Sequence, residues 1–446
     1  MKRILICFLL LLSAAAIAGA VDFGGMISNE TALVADPAVG VDQRNVVSVW
    51  FNTGTHNKIV FYIGGSYTFT LERPYLFNLD DFRLQGTFPR EGLSPSEFSF
   101  QFGRYRTYDF TETVLDHTLD GFTLGFTFPW VTLDVAAGFT GLVLKPVSTV
   151  TMTKIDYAEQ DIAGVIAGPK RLMGKVEARF PNLFGRQQLN FSFIFQEDLR
   201  FLFENTETPA ARQLVQEGET TFSANRGGLL DSQYMLLGMS GPIITNLYYN
   251  VYGGITTGRT LSYISGVYDY ATILGFLAAA EIRYYNEEFL YTRASLEFVF
   301  SSGDGDSQSY VEGNTAGLAT TFMPITPSAT GLAFSPDLGN LFYPKLTFSM
   351  KPLSSLGNTA LRTFQTKLDV YAFFRPTGTP ISESGLDPSS TALYLGTEID
   401  AILRMRLFSD LGVELSFGFF LPSPAAFVPV RQGLWFTGKL AAYLSW

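Results

Sequence analysis

Bulky apolar residues fall at every second position through much of this chain. Phe98, Phe100 and Phe102 alternate with Glu97, Ser99, Gln101 and Gly103. Phe122, Leu124, Phe126 and Phe128 alternate with Thr123, Gly125 and Thr127. Leu296, Phe298 and Phe300 repeat the pattern, as do Val413, Leu415, Phe417 and Phe419. A period of two marks strands with one apolar face. The opposite face is small, polar or charged. A soluble sandwich carries more Lys, Glu and Thr there; a Gly/Ser-rich face opposed to large aromatics predicts lipid outside and a crowded lumen inside.

The pattern predicts an all-β fold, a transmembrane antiparallel β-barrel of about 18 strands (range 16–18). The segments are 22–32, 41–52, 57–70, 76–87, 97–105, 120–128, 130–144, 171–180, 187–200, 231–240, 243–256, 271–285, 289–301, 340–351, 361–375, 391–407, 411–421 and 432–446. Alternation is least regular in 22–32 and 271–285, and Ala278 to Ala280 favour helix by propensity. Connection lengths alternate. Long ones fall at 106–119, 145–170, 201–230, 257–270, 302–339, 376–390 and 422–431. Short ones fall between them: around Pro129, Pro181–Arg186, around Ser240–Pro242, Asn286–Glu288 and Phe408–Asp410, with longer turns near 88–96 and 352–360. Bacterial barrels put short turns in the periplasm and long loops outside. An even strand count then leaves both termini periplasmic.

Composition agrees. The chain is 47% hydrophobic and 15% aromatic but only 16% charged, against about 25% charged in soluble domains. Past the first twenty residues no apolar run nears the length of a membrane helix; the longest, Ala271 to Ala280, is too short. Strands must therefore do any crossing, and only a closed barrel pairs every backbone group in lipid.

The N-terminus reads as a secretory signal: Lys2 and Arg3, an apolar run from Ile4 to Leu12, then small residues ending Ala18-Gly19-Ala20. Residues 1–20 are expected to be removed, leaving 21–446 as one barrel domain. No Cys follows that site, which argues against lipoprotein processing. The single Cys7 lies inside the signal, so the remaining chain has no disulfide and no thiol ligand or nucleophile. Removing Lys2 and Arg3 leaves 29 basic against 41 acidic residues, a net charge of −12. That balance argues against nucleic acid as a partner. At the other end Leu440, Leu444 and Trp446 share one face, with a terminal aromatic that resembles the signal read by the outer-membrane assembly machinery.

Catalysis finds little support. There are two histidines: His56 in a short predicted turn and His117 in a predicted outer loop. Asp109, Asp116 and Asp120 could imitate an Asp/His pair with His117, but a solvated loop histidine is the simpler reading. Gly303-Asp304-Gly305-Asp306 lacks the spacing of a calcium loop. No cofactor, metal or catalytic residue is expected.

Charges opposite the apolar parity are more informative. Arg83, Lys175, Glu177, Arg179, Glu281, Arg283, Arg293, Glu297, Lys367, Asp369, Glu398, Asp400, Arg404, Arg406, Glu414 and Lys439 all stand there. A Lys or Arg on the lipid face costs roughly 2–4 kcal/mol near the midplane, so these side chains are forced inward. They predict a wet, mixed-charge lumen of weak ion selectivity, partly braced by ion pairs.

Some stretches bear a resemblance. Phe102-Gly103-Arg104-Tyr105-Arg106 followed by Asp120-Gly121 resembles the "GR…DG" stretch of large Gram-negative porins, and Ser301-Ser302-Gly303-Asp304-Gly305 their "SGD" loop exit. Tyr394-Leu395-Gly396-Thr397-Glu398-Ile399-Asp400, running into a hairpin that ends at Leu421, resembles the "G-x-E-x-D" hairpin of alginate-export-like porins. Together these cover about a third of the chain. The resemblance implies an 18-stranded monomeric barrel in the lipid bilayer, with a charged constriction for small anionic or sugar-like solutes. The mixed lumen charge departs from the net positive channel an anionic polymer needs, which argues against alginate itself.

The expected function is diffusion of small polar or charged solutes through an outer-membrane porin. Arg104 and Arg106 would stand at a rim, and Arg83, Arg283, Arg293, Glu297, Lys367, Asp369, Glu398, Asp400, Arg404 and Arg406 would line the pore. Two rivals remain. A transporter of hydrophobic compounds needs an N-terminal plug, for which little chain is available. A surface adhesin or structural barrel would have a sealed lumen and exposed aromatic loop tips such as Phe322 and Phe334.

Overall fold

The computed structural model describes residues 21–55, 58–90, 92, 94–153, 156, 166–199, 230–264, 267–307, 310 and 317–446; at Thr55, 261–264 and 267–270 it describes the backbone alone. The signal residues 1–20, His56 and most of the outer loop expected at 201–230 lie outside that set.

Eighteen long strands form one closed antiparallel sheet. In order they are β1 (Val21–Asp36), β2 (Ala38–Thr55), β3 (Ile59–Thr70), β4 (Leu76–Pro89), β5 (Glu97–Tyr108), β6 (Asp116–Thr127), β7 (Thr132–Phe139), β8 (Arg171–Phe180), β9 (Gln188–Asp198), β10 (Leu230–Ile244), β11 (Leu247–Ile264), β12 (Val267–Asn286), β13 (Thr292–Ser301), β15 (Leu341–Met350), β16 (Gln365–Phe374), β17 (Tyr394–Arg406), β18 (Leu411–Pro422) and β19 (Trp435–Ser445). A two-residue strand, β14 (Leu318–Ala319), lies in the long connection after β13 and runs parallel to β12. Each long strand pairs with its chain neighbours, and β19 returns to β1. No edge stays open, as lipid requires.

Each of the eighteen segments expected from periodicity holds a strand. Ala278 to Ala280 are strand too, paired with Val251–Gly253 on one side and Phe298–Phe300 on the other. Two flanking ladders outweigh a local helix preference. The loop lengths need correction. No long loop spans 257–270, because β11 and β12 keep pairing as far as Ile264 and Val267. The connection expected at 106–119 shrinks to 109–115, and β1 turns into β2 at Pro37 alone. The longer turn expected near 352–360 is present: 351–364 holds α1 (Thr359–Arg362), whose N-terminus is capped by the Asn358 side chain.

The outward face is a belt of exposed apolar side chains, among them Val49, Phe102, Leu237 and Leu346. So large an apolar surface is stable only against lipid. Aromatics ring its short-turn end, including Trp130, Phe184, Phe289, Phe408 and Trp446. Leu440, Leu444 and Trp446 lie on this face of the closing strand. The seam ends on Trp446, which exchanges main-chain hydrogen bonds with Gly25 at 3.1 and 3.2 Å. Its indole covers Gly25 so closely that a Cβ there would fall 2.1 Å from a ring carbon.

Candidate functional site

The lumen is narrowed by elements that leave the wall. The first is the β5–β6 hairpin. Gly103, Gly121 and Gly138 stand side by side across β5, β6 and β7. A Cβ on Gly103 would lie 2.1 Å from the Phe82 carbonyl, and one on Gly121 2.0 Å from that of Ala137. Strands approach this closely only without side chains. Beyond that row β5 leaves β4 at Arg104, and β6 leaves β7 at Asp120. The free hairpin bends into the lumen. Its Phe110 N–H donates to Glu177 on β8 at 3.0 Å, Lys175 donates to the Tyr108 carbonyl, and the Phe110 ring reaches Gly238 on β10.

The second element is the connection from β13 to β15. Its Ile325 and Thr326 amides donate to the Val114 carbonyl of the bent hairpin at 2.9 and 3.1 Å. Tyr234 donates to the Met323 carbonyl at 2.6 Å and Tyr371 to that of Thr330 at 2.9 Å. The Glu398 carboxylate then accepts the main-chain N–H groups of Ala333 at 2.7 Å and Phe334 at 2.9 Å. Phe334 stacks on Phe420 with ring centres 4.2 Å apart, and Phe373, Phe427 and Trp435 meet it edge-on. Glycines permit the approach: a Cβ on Gly418 would stand 2.7 Å from Leu332, and one on Gly331 2.6 Å from Glu398. Phe322 and Phe334 are therefore not exposed loop tips. Both have 0% exposure, because aromatic rings brought inside the barrel bury against wall aromatics.

Charged and amide side chains fasten the remaining loops. Arg375 donates to the carbonyls of Thr379, Ser390 and Ala392. Asn340 donates to the Thr377 and Thr379 carbonyls. Arg171, fully buried on β8, pairs with buried Asp156 of the β7–β8 connection at 2.5 Å and donates to Gln196. Arg431 pairs with Asp36, joining the β18–β19 connection to the tip of the first hairpin. Asp337 donates its N–H to Ser382 at 2.7 Å. Burial, then the neighbouring Glu383, pushes the Asp337 carboxyl up to about 6; burial, then Asp36, raises Glu383.

The other expected site residues fall in three settings. Arg83 pairs with Asp81 at 2.6 Å over the Tyr62 ring. Arg283 and Arg293 share Glu281. Glu297 faces Lys345 at 3.9 Å, Lys367 pairs with Asp369 at 2.6 Å, and Arg404 with Glu414 at 2.5 Å. These pairs run along or between adjacent strands, not across the lumen. Arg406 is exposed near the short-turn end of β17, and its N–H donates to Thr363. Glu398 and Asp400 are buried under the inward loop. Arg104 shares the outward parity of Phe102. At the hairpin's bend it pairs with Asp120 at 2.8 Å and donates to the Leu79 and Leu142 carbonyls. Arg106 pairs with Asp116 on the inward part of the hairpin. His117 is not a solvated loop residue: it is buried, with its Nδ1 2.8 Å from the Thr149 hydroxyl.

Sequence reasoning missed Arg171, Arg375, Asp81, Glu30 and Lys345. The parity rule reaches Lys345, two residues from inward Tyr343, and Glu30, which pairs with Lys439 at 2.8 Å. Periodicity does not mark the two buried arginines: Arg375 bonds carbonyls of its own β16–β17 connection, and Arg171 bonds Asp156 in the connection that precedes its strand.

Two open cavities flank the bent hairpin. One of about 350 Å³ lies against β4–β8 and is lined by Gln85, Gln101, Arg106, Thr123, Asp134 and Lys175 among others. The second, about 600 Å³, lies between the hairpin's Tyr108–Glu112 and the walls β8–β12. Arg179, Asn190, Tyr248, Asn250, Arg283 and Tyr285 line it. Guanidinium, amide and phenol groups around these open cavities can hydrogen-bond a polar or anionic solute while paired carboxylates limit the net field.

No family model and no curated protein matches this sequence. Solved structures do match. Pseudomonas aeruginosa OccK2 (OpdF) superposes with a TM-score of 0.56 at 10% identity, over 95% of this chain and 97% of that one. The Pseudomonas aeruginosa outer membrane protein OpdK gives 0.55 at 10% identity, over 96% and 99%. A structure of OccK2 in complex with glucuronate gives 0.55 at 11% identity, over 95% and 97%. The fold is that of these barrels. At such identity the likeness is one of architecture.

Proposed function

We propose that this protein is an outer-membrane channel through which small polar or anionic solutes diffuse. The carrying observation is the pair of open, charge-lined cavities of about 350 and 600 Å³ beside the inward-bent β5–β6 hairpin. A closed barrel with an apolar exterior fits a bilayer, and its mixed-charge inner wall fits water and dissolved solutes. The Occ barrels that share its architecture, one of them bound to glucuronate, support the same reading. Residues 1–20 would direct export, and Leu440, Leu444 and Trp446 would present the closing strand to the assembly machinery, with both termini in the periplasm. Within the channel the hairpin bearing Arg106 and the walls bearing Arg83, Lys175, Arg179 and Arg283 guide the solute. The Glu398-anchored loop fills part of the lumen and narrows the passage. Liposome swelling with a size-graded series of neutral sugars, sugar acids and amino sugars tests this. Swelling with small sugars and sugar acids that falls off with size is expected. Swelling no faster than in empty liposomes for every solute would overturn it.

A further inference from the structure

The lipid-facing side of β1 and β2 carries polar side chains in mid-strand. Asn29 and Thr31 on β1 lie opposite Asn45 and Gln43 on β2. Their parity is that of exposed Ile27 and Leu33 on one strand and exposed Val41 and Val47 on the other. The four polar residues thus point outward, with apolar neighbours above and below. Asn29 sits near the middle of β1. Other outward polar side chains include Glu197 and Gln233, towards strand ends, and the Arg104–Asp120 ion pair, which sits where the β5–β6 hairpin leaves the wall.

The polar groups here are under-satisfied. Asn29 Nδ2 donates to Asn45 Oδ1 at 2.6 Å. That bond leaves the Asn29 oxygen, the Asn45 amide hydrogens and the whole Gln43 amide without a protein partner among the described residues. Hydrocarbon offers no partner, and amides facing it are costly. On β19 the strip is bordered by Ala442, which lies directly beside Asn29, and by Leu440, which lies beside Thr31, and on β3 by Phe69, which lies beside Asn45. Side-chain amides join membrane segments by hydrogen bonds across their contacts. An amide strip carries both donors and acceptors, so it complements itself under a two-fold axis.

We propose that the Asn29–Thr31 and Gln43–Asn45 strip is a contact within the membrane where a second copy of this chain packs face to face, the free amides of one copy pairing with those of the other. The monomer expected from the resemblance is then replaced by a two-fold dimer. Channel activity is not needed for this, so its failure and that of the channel reading are separable.

The chain past residue 20 has no cysteine, so single-cysteine variants report contacts cleanly. Val47→Cys and Val41→Cys place a thiol beside the strip while leaving the amides intact. Leu346→Cys places one on β15, elsewhere on the exposed belt. Each folded barrel, verified by heat-modifiable migration in gels, is treated in outer membranes with a short bifunctional thiol reagent. Dimer formation is expected at 41 and 47 and not at 346. Loss of the dimer is expected when Asn29→Leu, Gln43→Leu and Asn45→Leu are added to Val47→Cys. Absence of cross-linking at both strip positions, equal cross-linking at 346, or unchanged cross-linking in the leucine variant would overturn the proposal.

Discussion

Glu398, on the wall strand β17, accepts the main-chain N–H of Phe334 at 2.9 Å, although the two residues are 64 positions apart in the chain. The same carboxylate takes the Ala333 N–H. One buried acid thereby holds the tip of the longest loop inside the barrel. Leaving two buried N–H groups without an acceptor costs about 1–3 kcal/mol each. Glu398→Ala should release the loop and give larger, noisier unitary currents. Glu398→Gln, which keeps one acceptor oxygen, should fall between. Unchanged currents in both would show that the loop is held elsewhere.

Phe334 fills a nest of four rings. Phe334→Ala should cost about 3–5 kcal/mol by opening a cavity. The loss should stay local, because the strand ladders that close the barrel do not pass through this ring. Hydrogen exchange should accelerate at residues 330–335 while the amides of β17 and β18 stay protected. Equal acceleration throughout would mean that the cluster supports the barrel itself.

Loop closure should weaken as pH rises. The Asp337 carboxyl is raised to about 6 by burial and by Glu383. Glu383 in turn faces Asp36, Arg431 and Glu398. A raised carboxyl favours the docked loop while protonated, so that support is complete below the ordinary carboxylate range and is lost as pH climbs through about 6. Current fluctuations should be fewer at pH 4.5 than at pH 7.5, about a unit and a half to either side of that point. Asp337→Asn should flatten the dependence. A native channel equally quiet at both values would contradict this.

The buried Arg171–Asp156 pair ties the β7–β8 connection to the wall. Removing one member of such a pair typically costs about 3–5 kcal/mol, whereas replacing both with apolar residues costs little. Arg171→Met should expose the connection to limited proteolysis. Arg171→Met with Asp156→Leu should restore much of the resistance. If both variants resist cleavage like the native chain, the pair does not hold this connection.

Barrel topology was legible in the sequence because lipid enforces strict alternation: a misplaced charge is costly, so parity in β8, β12, β16 and β17 reads directly. Loop extent was not. Nothing in the Thr/Tyr-rich stretch 257–270 shows that strands continue past the apolar belt. Nor does a row of glycines announce a bend, since Gly103, Gly121 and Gly138 meet only after three strands pair. The "G-x-E-x-D" stretch drew notice as a pore wall. Gly396 instead makes room for the Phe420 ring, and Glu398 grips a loop. Phe322 and Phe334 looked like surface tips because a loop folded inward has the same composition as one folded outward.

Planar-bilayer recording of the refolded native chain, at low and high salt, tests most directly whether a path remains past the inward hairpin and loop. Well-resolved unitary steps with weak ion selectivity are expected. Folded barrels that insert yet show no conductance steps at any voltage would contradict the channel and mark the lumen as sealed.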